Sequence, residues 1–381
     1  MKVAYYTSAY FLDEALETIQ SLKSRVTLDV YIEISEYSKK STILNLDSIA
    51  HLDLIEDPLC VIGNLRWEFY QPYFEGVNQV KFVVKLFSSF SLKSLKSYVE
   101  IGKVLRSQTY DVIHFDNLCE SLLGIIPFIK KSRKCLTIHD SQSHTGEFHL
   151  IHYLFKKFYI NYFDSLHFFS NYSSSLFKNS YIFRKKIVDT PLQPYTFLNQ
   201  FTDDEILMRD HILFYGRISK YKGLDLLINA IPLILMKFPN QRFIIAGKIN
   251  PNLSIDFSPI ENFKKNVVFY DDFISTPRLV KLLQSSKFVV CPYREASQSG
   301  VLMSSFALKR MVVATRVGAF PEYINDHHNG LLCATDSNDL ANKIIEALSN
   351  NYYLTLENNI QTLPNTVMVK NIGETIVNSY Y

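Results

Sequence analysis

The chain has 381 residues, more than one hydrophobic core usually organises, so we expect two domains. Hydrophobic residues make up 47% and charged residues 20%, which excludes a disordered chain. The net charge is only +3, but residues 1–76 are acidic and residues 77–200 are basic, which indicates either an anionic partner for the first half or a solvated basic surface.

The N-terminus and the cysteines indicate a cytoplasmic protein. The chain enters a strand without the charged region, apolar stretch and cleavage site of a signal peptide, and no stretch reaches the roughly 18 apolar residues that a spanning helix needs. The cysteines are widely spaced and form no Cys-x-x-Cys pair, so we expect reduced thiols rather than a disulfide framework or a zinc site. They are Cys60, Cys119, Cys135, Cys291 and Cys333.

Strands and helices alternate along the chain, which predicts parallel sheets covered by helices on both faces. The predicted strands are Lys2–Thr7, Thr27–Ile34, Val112–Phe115, Cys135–His139, Ser165–Phe169, Ile212–Tyr215, Arg242–Ala246, Val267–Tyr270, Phe288–Cys291 and Met311–Thr315. The predicted helices include Leu12–Lys23, Leu92–Arg106, Gly223–Met236, Thr276–Gln284 and Gly300–Ala307. Two such halves predict two Rossmann-like domains, with the boundary between Asp189 and Asp204, where prolines interrupt regular structure.

The segment 212–223, ILFYGRISKYKG, places two cations after a buried strand. Arg217 follows Gly216 at the strand end, and Lys222 stands just before the next helix begins at Gly223. A guanidinium fork, an ammonium group and the free amides of a helix N-terminus all attract phosphate, so the segment predicts a diphosphate clamp. The alternative is a pair of surface cations beside an ordinary loop.

The segment 291–301, CPYREASQSGV, joins a strand to a helix through a polar loop of small residues. Ser297 or Ser299 is placed to cap the helix, and Gly300 allows the backbone to come close to an anion. The carboxylate of Glu295 is suited to accept hydrogen bonds from two adjacent sugar hydroxyls. The alternative is a plain helix cap beside a surface glutamate.

Two further segments follow: 312–324, VVATRVGAFPEYI, which ends a strand in a glycine loop, and 329–332, NGLL, which reads as a tight turn into a short strand. In this order, over 211–335, the segments resemble the retaining GT-B glycosyltransferases of family four. That family's pattern is roughly F-x-G-R-x4-K-G, a Glu-x7-Glu loop, VVAT-x-VGG-x-PE and NG-L-L.

The resemblance implies two Rossmann-like domains facing each other across a cleft. We expect residues 1–195 to bind the acceptor, residues 196–365 to bind the nucleotide-sugar donor, and a helix at 366–381 to return to the N-terminal domain. Glu295 would contact the transferred sugar, and the base would lie near Gly247 and residues 270–273. The implied donor-binding residues are Gly216, Arg217, Lys222, Gly247, Ser299, Gly300, Val301 and Glu322.

The sequence departs from the family pattern at two places. The position eight after Glu295 is Met303, and if the alignment is anchored on the VVAT strand instead, Ala296 and Ser304 take the two glutamate positions. Either way the ribose contacts must differ from those of the family. The family's Gly-Gly loop after the first strand is also absent and reads Thr-Ser-Ala-Tyr at 7–10.

The segment 136–140, LTIHD, resembles the family's T-x-H-D stretch, in which the histidine faces the donor sugar across the cleft. By that resemblance we expect His139 to steady the charge that develops in the reaction. His114, in the strand 110–114, is left open between a functional and a packing role.

The resemblance implies transfer without a metal ion, by front-face attack, with the leaving phosphate taking the acceptor's proton. The protein then contributes positioning and electrostatic stabilisation. Two alternatives remain: a non-catalytic GT-B subunit that binds glycan or protein, and a GT-B nucleotide-sugar epimerase. No base-stacking or groove-reading motif is present, which excludes a nucleic-acid partner.

Basic and aromatic residues alternate in 77–108 and 148–169, a pattern typical of segments that lie on an anionic bilayer. The pattern predicts a position at the inner face of the membrane, and the family resemblance implies a glycan or lipid-linked acceptor in surface-polysaccharide assembly. The alternative is that these segments face the core and keep their lysines in water.

Overall fold

The computed structural model describes residues 1–36, 38, 42–44, 54–56, 69–85, 91–142, 150–202, 208–361 and 365–381. Within them the chain forms two α/β domains, each built on one sheet. This confirms the predicted GT-B architecture of two Rossmann-like domains. Cys60 lies outside the described residues, and the other four cysteines are buried free thiols.

The N-terminal sheet has the strand order β3-β4-β2-β1-β5-β6-β7-β8, and all neighbours are parallel except the antiparallel pair β3 and β4. Its strands are β1 (Lys2–Ser8), β2 (Thr27–Ser35), β3 (Ile55–Glu56), β4 (Gln79–Lys85), β5 (Val112–Phe115), β6 (Arg133–Ile138), β7 (Ser165–Phe168) and β8 (Lys186–Asp189). The helices are α1 (Leu12–Leu22), α2 (Gln71–Phe74), α3 (Leu92–Ser107), α4 (Leu122–Ile125), α5 (Leu150–Tyr159) and α6 (Asn171–Ser180).

The C-terminal sheet has the order β11-β10-β9-β12-β13-β14, with every neighbour parallel. Its strands are β9 (His211–Tyr215), β10 (Arg242–Ala246), β11 (Val267–Tyr270), β12 (Ser286–Cys291), β13 (Val312–Thr315) and β14 (Gly330–Cys333). The helices are α7 (Leu224–Lys237), α8 (Thr276–Gln284), α9 (Gly300–Ala307), α10 (Phe320–Tyr323), α11 (Ser337–Leu348), α12 (Tyr352–Gln361) and α13 (Asn365–Ser379).

The central strand β1 shows how buried polar groups of the N-terminal core find hydrogen-bond partners. Tyr5 and Tyr6 point to opposite faces of the sheet, and both rings are at most 1% exposed. A buried phenol needs a hydrogen-bond partner. Tyr5 donates to Asp116 at 2.7 Å, and Tyr6 donates to Glu33 at 2.7 Å. Carboxylates therefore lie within the N-terminal core, at the carboxyl ends of the strands.

Strand β4 corrects the prediction that 77–108 lies on a membrane surface. Residues 79–85 form a strand between β2 and β3, in which Phe82 and Val83 are fully buried. Lys85 is also buried, and its ammonium lies 3.0 Å from the Glu33 carboxylate. Only α3 remains as a surface element within this segment, and residues 86–90 lie outside the described part of the chain.

The C-terminal helix α13 returns to the N-terminal domain, as predicted, and packs against α1 and β8. Gly373 allows the close approach, because a Cβ there would lie 2.4 Å from the carbonyl oxygen of Ser21. At the helix end, Tyr380 and Ser379 bond to two buried histidines of the sheet, His114 at 2.7 Å and His167 at 2.9 Å.

Between the sheets, a 3-10 helix at Thr196–Phe201 follows β8 and buries Phe197 and Leu198. Thr196 donates its backbone amide to Glu17 of α1 at 2.6 Å. The predicted boundary segment, 189–204, is therefore anchored on the N-terminal domain at this point; residues 203 and 204 lie outside the described part of the chain.

Candidate active site

The carboxyl ends of the two sheets face each other, and the loop between β12 and α9 contacts the N-terminal domain. Ser297 donates to Asp140 at 2.5 Å, and its backbone carbonyl accepts from Ser170 at 2.8 Å. The side chain of Gln298 donates to Glu14 at 3.2 Å. Ligands of open α/β sheets bind at the carboxyl ends of the strands, so this cleft is the candidate active site.

On the C-terminal side, Lys222 is buried beside Gly216, as the diphosphate clamp requires. A Cβ at Gly216 would lie 2.8 Å from the Lys222 ammonium, and the backbone φ of Gly216 is 98°, a value that favours glycine. The same ammonium lies 5.3 Å from the centre of the Tyr293 ring. Arg217 is exposed at the strand end. One cation is thus held inside the site and the other at its rim.

Gly216 and Gly247 lie in close contact just after the ends of the neighbouring parallel strands β9 and β10. A Cβ at Gly247 would lie 2.0 Å from the Gly216 carbonyl oxygen, and the φ of Gly247 is 150°. Nearby, the Ser219 hydroxyl is buried and has no hydrogen-bond partner among the described residues. Glycine at both strand ends therefore lets the two backbones approach each other and leaves room for the Lys222 ammonium beside Gly216.

The start of α9 is built as predicted. Ser299 caps the helix by accepting from the Leu302 amide at 3.2 Å. A Cβ at Gly300 would lie 3.0 Å from the Tyr195 hydroxyl oxygen, so a larger residue is disfavoured there. The Val301 carbonyl accepts from the Tyr215 hydroxyl at 3.0 Å. Strand β9 and helix α9 are therefore tied together beside the Lys222 ammonium.

Neither candidate for the second glutamate position offers a group to the cleft. Met303 is 1% exposed and belongs to the hydrophobic core. Ser304 donates to the Gly300 carbonyl one turn back at 2.7 Å. Ala296 is buried, and its carbonyl is pressed against Gly318, where a Cβ would lie 1.9 Å away. Glu295 is half-buried.

Glu322 lies in an interdomain contact. Its carboxylate accepts from the backbone amides of Asn171 at 2.9 Å and Tyr172 at 2.7 Å, at the N-terminus of α6. The partial positive charge of a helix N-terminus favours a carboxylate at this place. The next residue, Tyr323, donates to the Phe169 carbonyl and accepts from the Leu192 amide. The predicted donor-binding role of Glu322 stays a prediction.

On the N-terminal side, His139 is 7% exposed and has an acceptor at each ring nitrogen. Nδ1 lies 2.6 Å from a carboxylate oxygen of Glu14, and Nε2 lies 2.7 Å from the Asp116 carbonyl oxygen. Burial alone lowers the pKa of His139, but Glu14 and Asp116 outweigh it and raise the pKa well above its ordinary value. The neighbouring carboxylates thus favour the charged form of the ring.

His114 lies in a different environment. It is 1% exposed, bonds to Tyr380 and to Thr137, and packs 4.7 Å from the ring of His167. Burial and the neighbouring His167 lower the pKa of His114 well below its ordinary value. Its contacts belong to the docking of α13, which resolves the question left open by the sequence in favour of packing.

Three cleft residues were not predicted from the sequence: Glu14, Asp116 and Gln298. Glu14 stands among the apolar residues of α1, where a charged residue is 9% exposed and needs a partner. A glutamate among the apolar residues of a helix is the one sequence feature that points to this cluster. Asp116 follows β5 directly and accepts from Tyr5 and Thr7 at 2.7 Å.

Residues 209–350 match the family model described as glycosyl transferases group 1. An uncharacterized glycosyltransferase of Methanocaldococcus jannaschii is 33% identical over 143 residues, which are 36% of this chain and 38% of that protein. The similarity thus spans little more than a third of the relative. The residues that the family model matches lie in the C-terminal domain and include the segments on which the sequence resemblance rests.

Solved structures match almost the whole fold, and two of them illustrate the likeness. The sucrose-phosphate synthase of Thermosynechococcus elongatus has a TM-score of 0.65 at 14% identity and covers 99% of both chains. The Anabaena protein HepE, in complex with UDP and glucose, has a TM-score of 0.67 at 16% identity and covers 99% of this chain and 100% of its own. At these identities the likeness shows the fold.

Proposed function

We propose that this chain, whose residues 209–350 belong to the group 1 glycosyl transferases and whose overall fold is GT-B, is an enzyme that transfers a hexose. The donor is a nucleotide-diphosphate sugar, the anomeric configuration is retained, and the acceptor is a glycan or a lipid-linked glycan. HepE, of the same fold, is described in complex with UDP and glucose, which supports a donor of this class.

The observation that carries the proposal is the buried Lys222 ammonium beside the glycine ends of β9 and β10. A lysine ammonium that is 7% exposed and lies beside the glycine ends of two strands is placed to bind a phosphate group that approaches the strand ends. Arg217 at the rim and the amides at the start of α9 surround the same space. These groups suit the neutralisation of a leaving diphosphate, so no metal ion is required in the proposed reaction.

In that reaction the bond between the sugar and the diphosphate breaks as the acceptor oxygen attacks the anomeric carbon from the face of the sugar that the diphosphate leaves. The leaving phosphate takes the acceptor's proton, and no protein nucleophile is needed. The chain's own contribution is electrostatic. Arg217 and Lys222 bind the diphosphate, and the charged ring of His139, on the opposite domain, steadies the charge that develops in the reaction.

The test is thermal unfolding of the full chain with a panel of nucleoside diphosphates and nucleotide sugars. A ligand that binds only the folded state stabilises it, by about 2.7 kcal/mol at a hundred times its Kd. We expect one base to raise the melting temperature of the wild-type chain. The double substitution R217A/K222A should abolish the rise.

The matched control is K220A, which removes an exposed cation from the same turn, Lys220–Lys222. It should keep the stabilisation by nucleotide. If no nucleotide stabilises the folded wild-type chain, the transferase proposal is wrong, and a non-catalytic GT-B subunit becomes the better hypothesis. If K220A loses as much as the double variant, the clamp is misplaced.

The acceptor side of the proposal includes peripheral contact with an anionic membrane in surface-polysaccharide assembly. It is supported by α5 and the residues around it, where Leu154 and Phe158 are 54% and 60% exposed beside the exposed Lys157. Ile182, 84% exposed, and Arg184 extend this apolar and basic face. No helix in the described part of the chain is both long enough and apolar enough to cross a bilayer. A cytoplasmic location remains part of the proposal.

A further inference from the structure

The ring of His139 is fixed on all sides. Both nitrogens meet oxygen acceptors, the Glu14 carboxylate at 2.6 Å and the Asp116 carbonyl at 2.7 Å. Phe11 stacks on the ring with 4.0 Å between centroids, and Phe169 packs edge-on at 5.1 Å. A neutral imidazole carries one N–H, whereas the charged ring carries one at each nitrogen. The hydrogen bond at Nε2 and the carboxylate 2.6 Å from Nδ1 therefore favour the charged ring.

Of the two acceptors, Glu14 is the one that a substitution can remove. The Asp116 contact is made by a backbone carbonyl, and the Asp116 carboxylate already accepts from Tyr5 and Thr7. Glu14 holds His139 with one oxygen and accepts from Gln298 of the C-terminal domain with the other, at 3.2 Å. Its carboxylate thus joins the histidine to the loop that precedes α9.

We infer that Glu14 is a positioning residue that holds His139 as an imidazolium, in one orientation, at the cleft between the domains. The other charged groups facing the ring are Asp13 on the same helix and Asp116 after β5, and the C-terminal domain contributes the neutral Gln298. The ion pair stands on its own contacts. Its value for sugar transfer rests on the proposed function.

The experiment is an NMR titration of the histidine rings in the full chain, with ¹⁵N-labelled histidine and the His139 signal assigned by its loss in H139N. In the wild-type chain both ring nitrogens of His139 should be protonated at pH 7.5. In E14Q, which keeps the size of the side chain and removes its charge, the pKa of His139 should fall by about one unit or more. An unchanged His139 titration in E14Q would overturn the inference.

The control is E17Q, the same substitution one turn along α1. Glu17 is also buried, at 5% exposure, but it accepts from Thr196 and has no contact with His139. Its replacement should leave the His139 titration unchanged. If E17Q lowers the pKa as much as E14Q, the effect is a loosening of the helix and the inference is wrong.

Two further results keep the test decisive. If E14Q does not fold, the wild-type chain still decides, because a His139 that is neutral at pH 7.5 contradicts the inference. The nucleotide that stabilises the wild-type chain, with UDP as the first probe, should also raise the melting temperature of E14Q, since the clamp lies on the other domain. If no nucleotide binds either protein, the proposed function fails while the titration still measures the ion pair.

Discussion

The two domains finish the carboxyl ends of their sheets in different ways. In the C-terminal domain two neighbouring strands, β9 and β10, are followed by glycines, and Gly216 and Gly247 approach each other backbone to backbone. In the N-terminal domain they carry ionisable side chains, including the buried Glu33–Lys85 pair and the His139 cluster. The C-terminal half thus has bare backbone at these two strand ends, and the N-terminal half has paired charges around the cleft.

Under the proposed function, this difference suits a donor that carries a diphosphate on one side of the cleft and an acceptor on the other. A diphosphate is the common part of every nucleotide-sugar donor, so amides, glycines and one buried cation are sufficient to bind it. An acceptor varies from enzyme to enzyme and must be recognised by side chains. The comparison predicts that the N-terminal domain loses most when a charge is removed, and the C-terminal domain when a side chain is added.

The largest effect is expected from K85M in the N-terminal domain. Lys85 is 2% exposed, pairs with Glu33 and lies 4.7 Å from the Tyr98 ring, so its loss leaves a buried carboxylate without its partner cation. Breaking a buried pair in this way costs about 3–5 kcal/mol. Urea unfolding should show that loss in the free energy of unfolding.

K81M is the matched control, on the same strand but at a half-buried position. We expect it to cost less than about 1 kcal/mol, as surface substitutions usually do. The double variant E33Q/K85M should recover part of the loss, because the charge left by K85M is removed. Equal costs for K85M and K81M would show that the pair does not stabilise the domain.

The next effect is expected from G247A in the C-terminal domain. Its Cβ would lie 2.0 Å from the Gly216 carbonyl oxygen at a φ of 150°, so the two strand ends must separate. We expect a loss of about 2 kcal/mol or more in unfolding free energy, and loss of the stabilisation by nucleotide. Both are measured by thermal unfolding with and without the nucleotide.

G76A is the control that separates the backbone strain of a positive φ from the steric clash of the added Cβ. Gly76 also has a positive φ, 86°, but a Cβ there would have nothing within 4 Å. It should cost about 1 kcal/mol and leave nucleotide binding intact. If G247A retains the full stabilisation by nucleotide, the contact between Gly216 and Gly247 after β9 and β10 is not part of the donor site.

The same contrast explains what could be predicted from the sequence. The clamp, the α9 cap and the glycine loop are local: each lies within one strand–loop–helix segment, so a short motif reveals it. The N-terminal cluster joins Glu14, Asp116 and His139 from three separate elements. No short segment contains it, and only folding brings these residues together.

Errors in the fold have a similar cause. The sequence of β4 resembles a surface segment because Lys81 and Lys85 stand among apolar residues, and it leaves a core-facing placement as the alternative. A lysine normally indicates solvent, but the carboxylate that holds Lys85 in the core stands in β2, some 50 residues earlier. A pattern of hydrophobicity does not show a pairing across the sheet.

The smallest effect is expected at the outer surfaces of the two domains, in their binding to a membrane. We expect F158S to reduce co-sedimentation of the full chain with anionic phospholipid vesicles several-fold, because Phe158 is 60% exposed beside Lys157 on α5. M236S is the control, since Met236 is 72% exposed on α7 of the C-terminal domain and lies outside the proposed face. Vesicles of zwitterionic lipid should bind the wild-type chain weakly, because the basic residues of this face are attracted by anionic headgroups. If M236S and F158S reduce binding equally, exposed apolar area alone drives it, and the N-terminal face has no special part in reaching the acceptor.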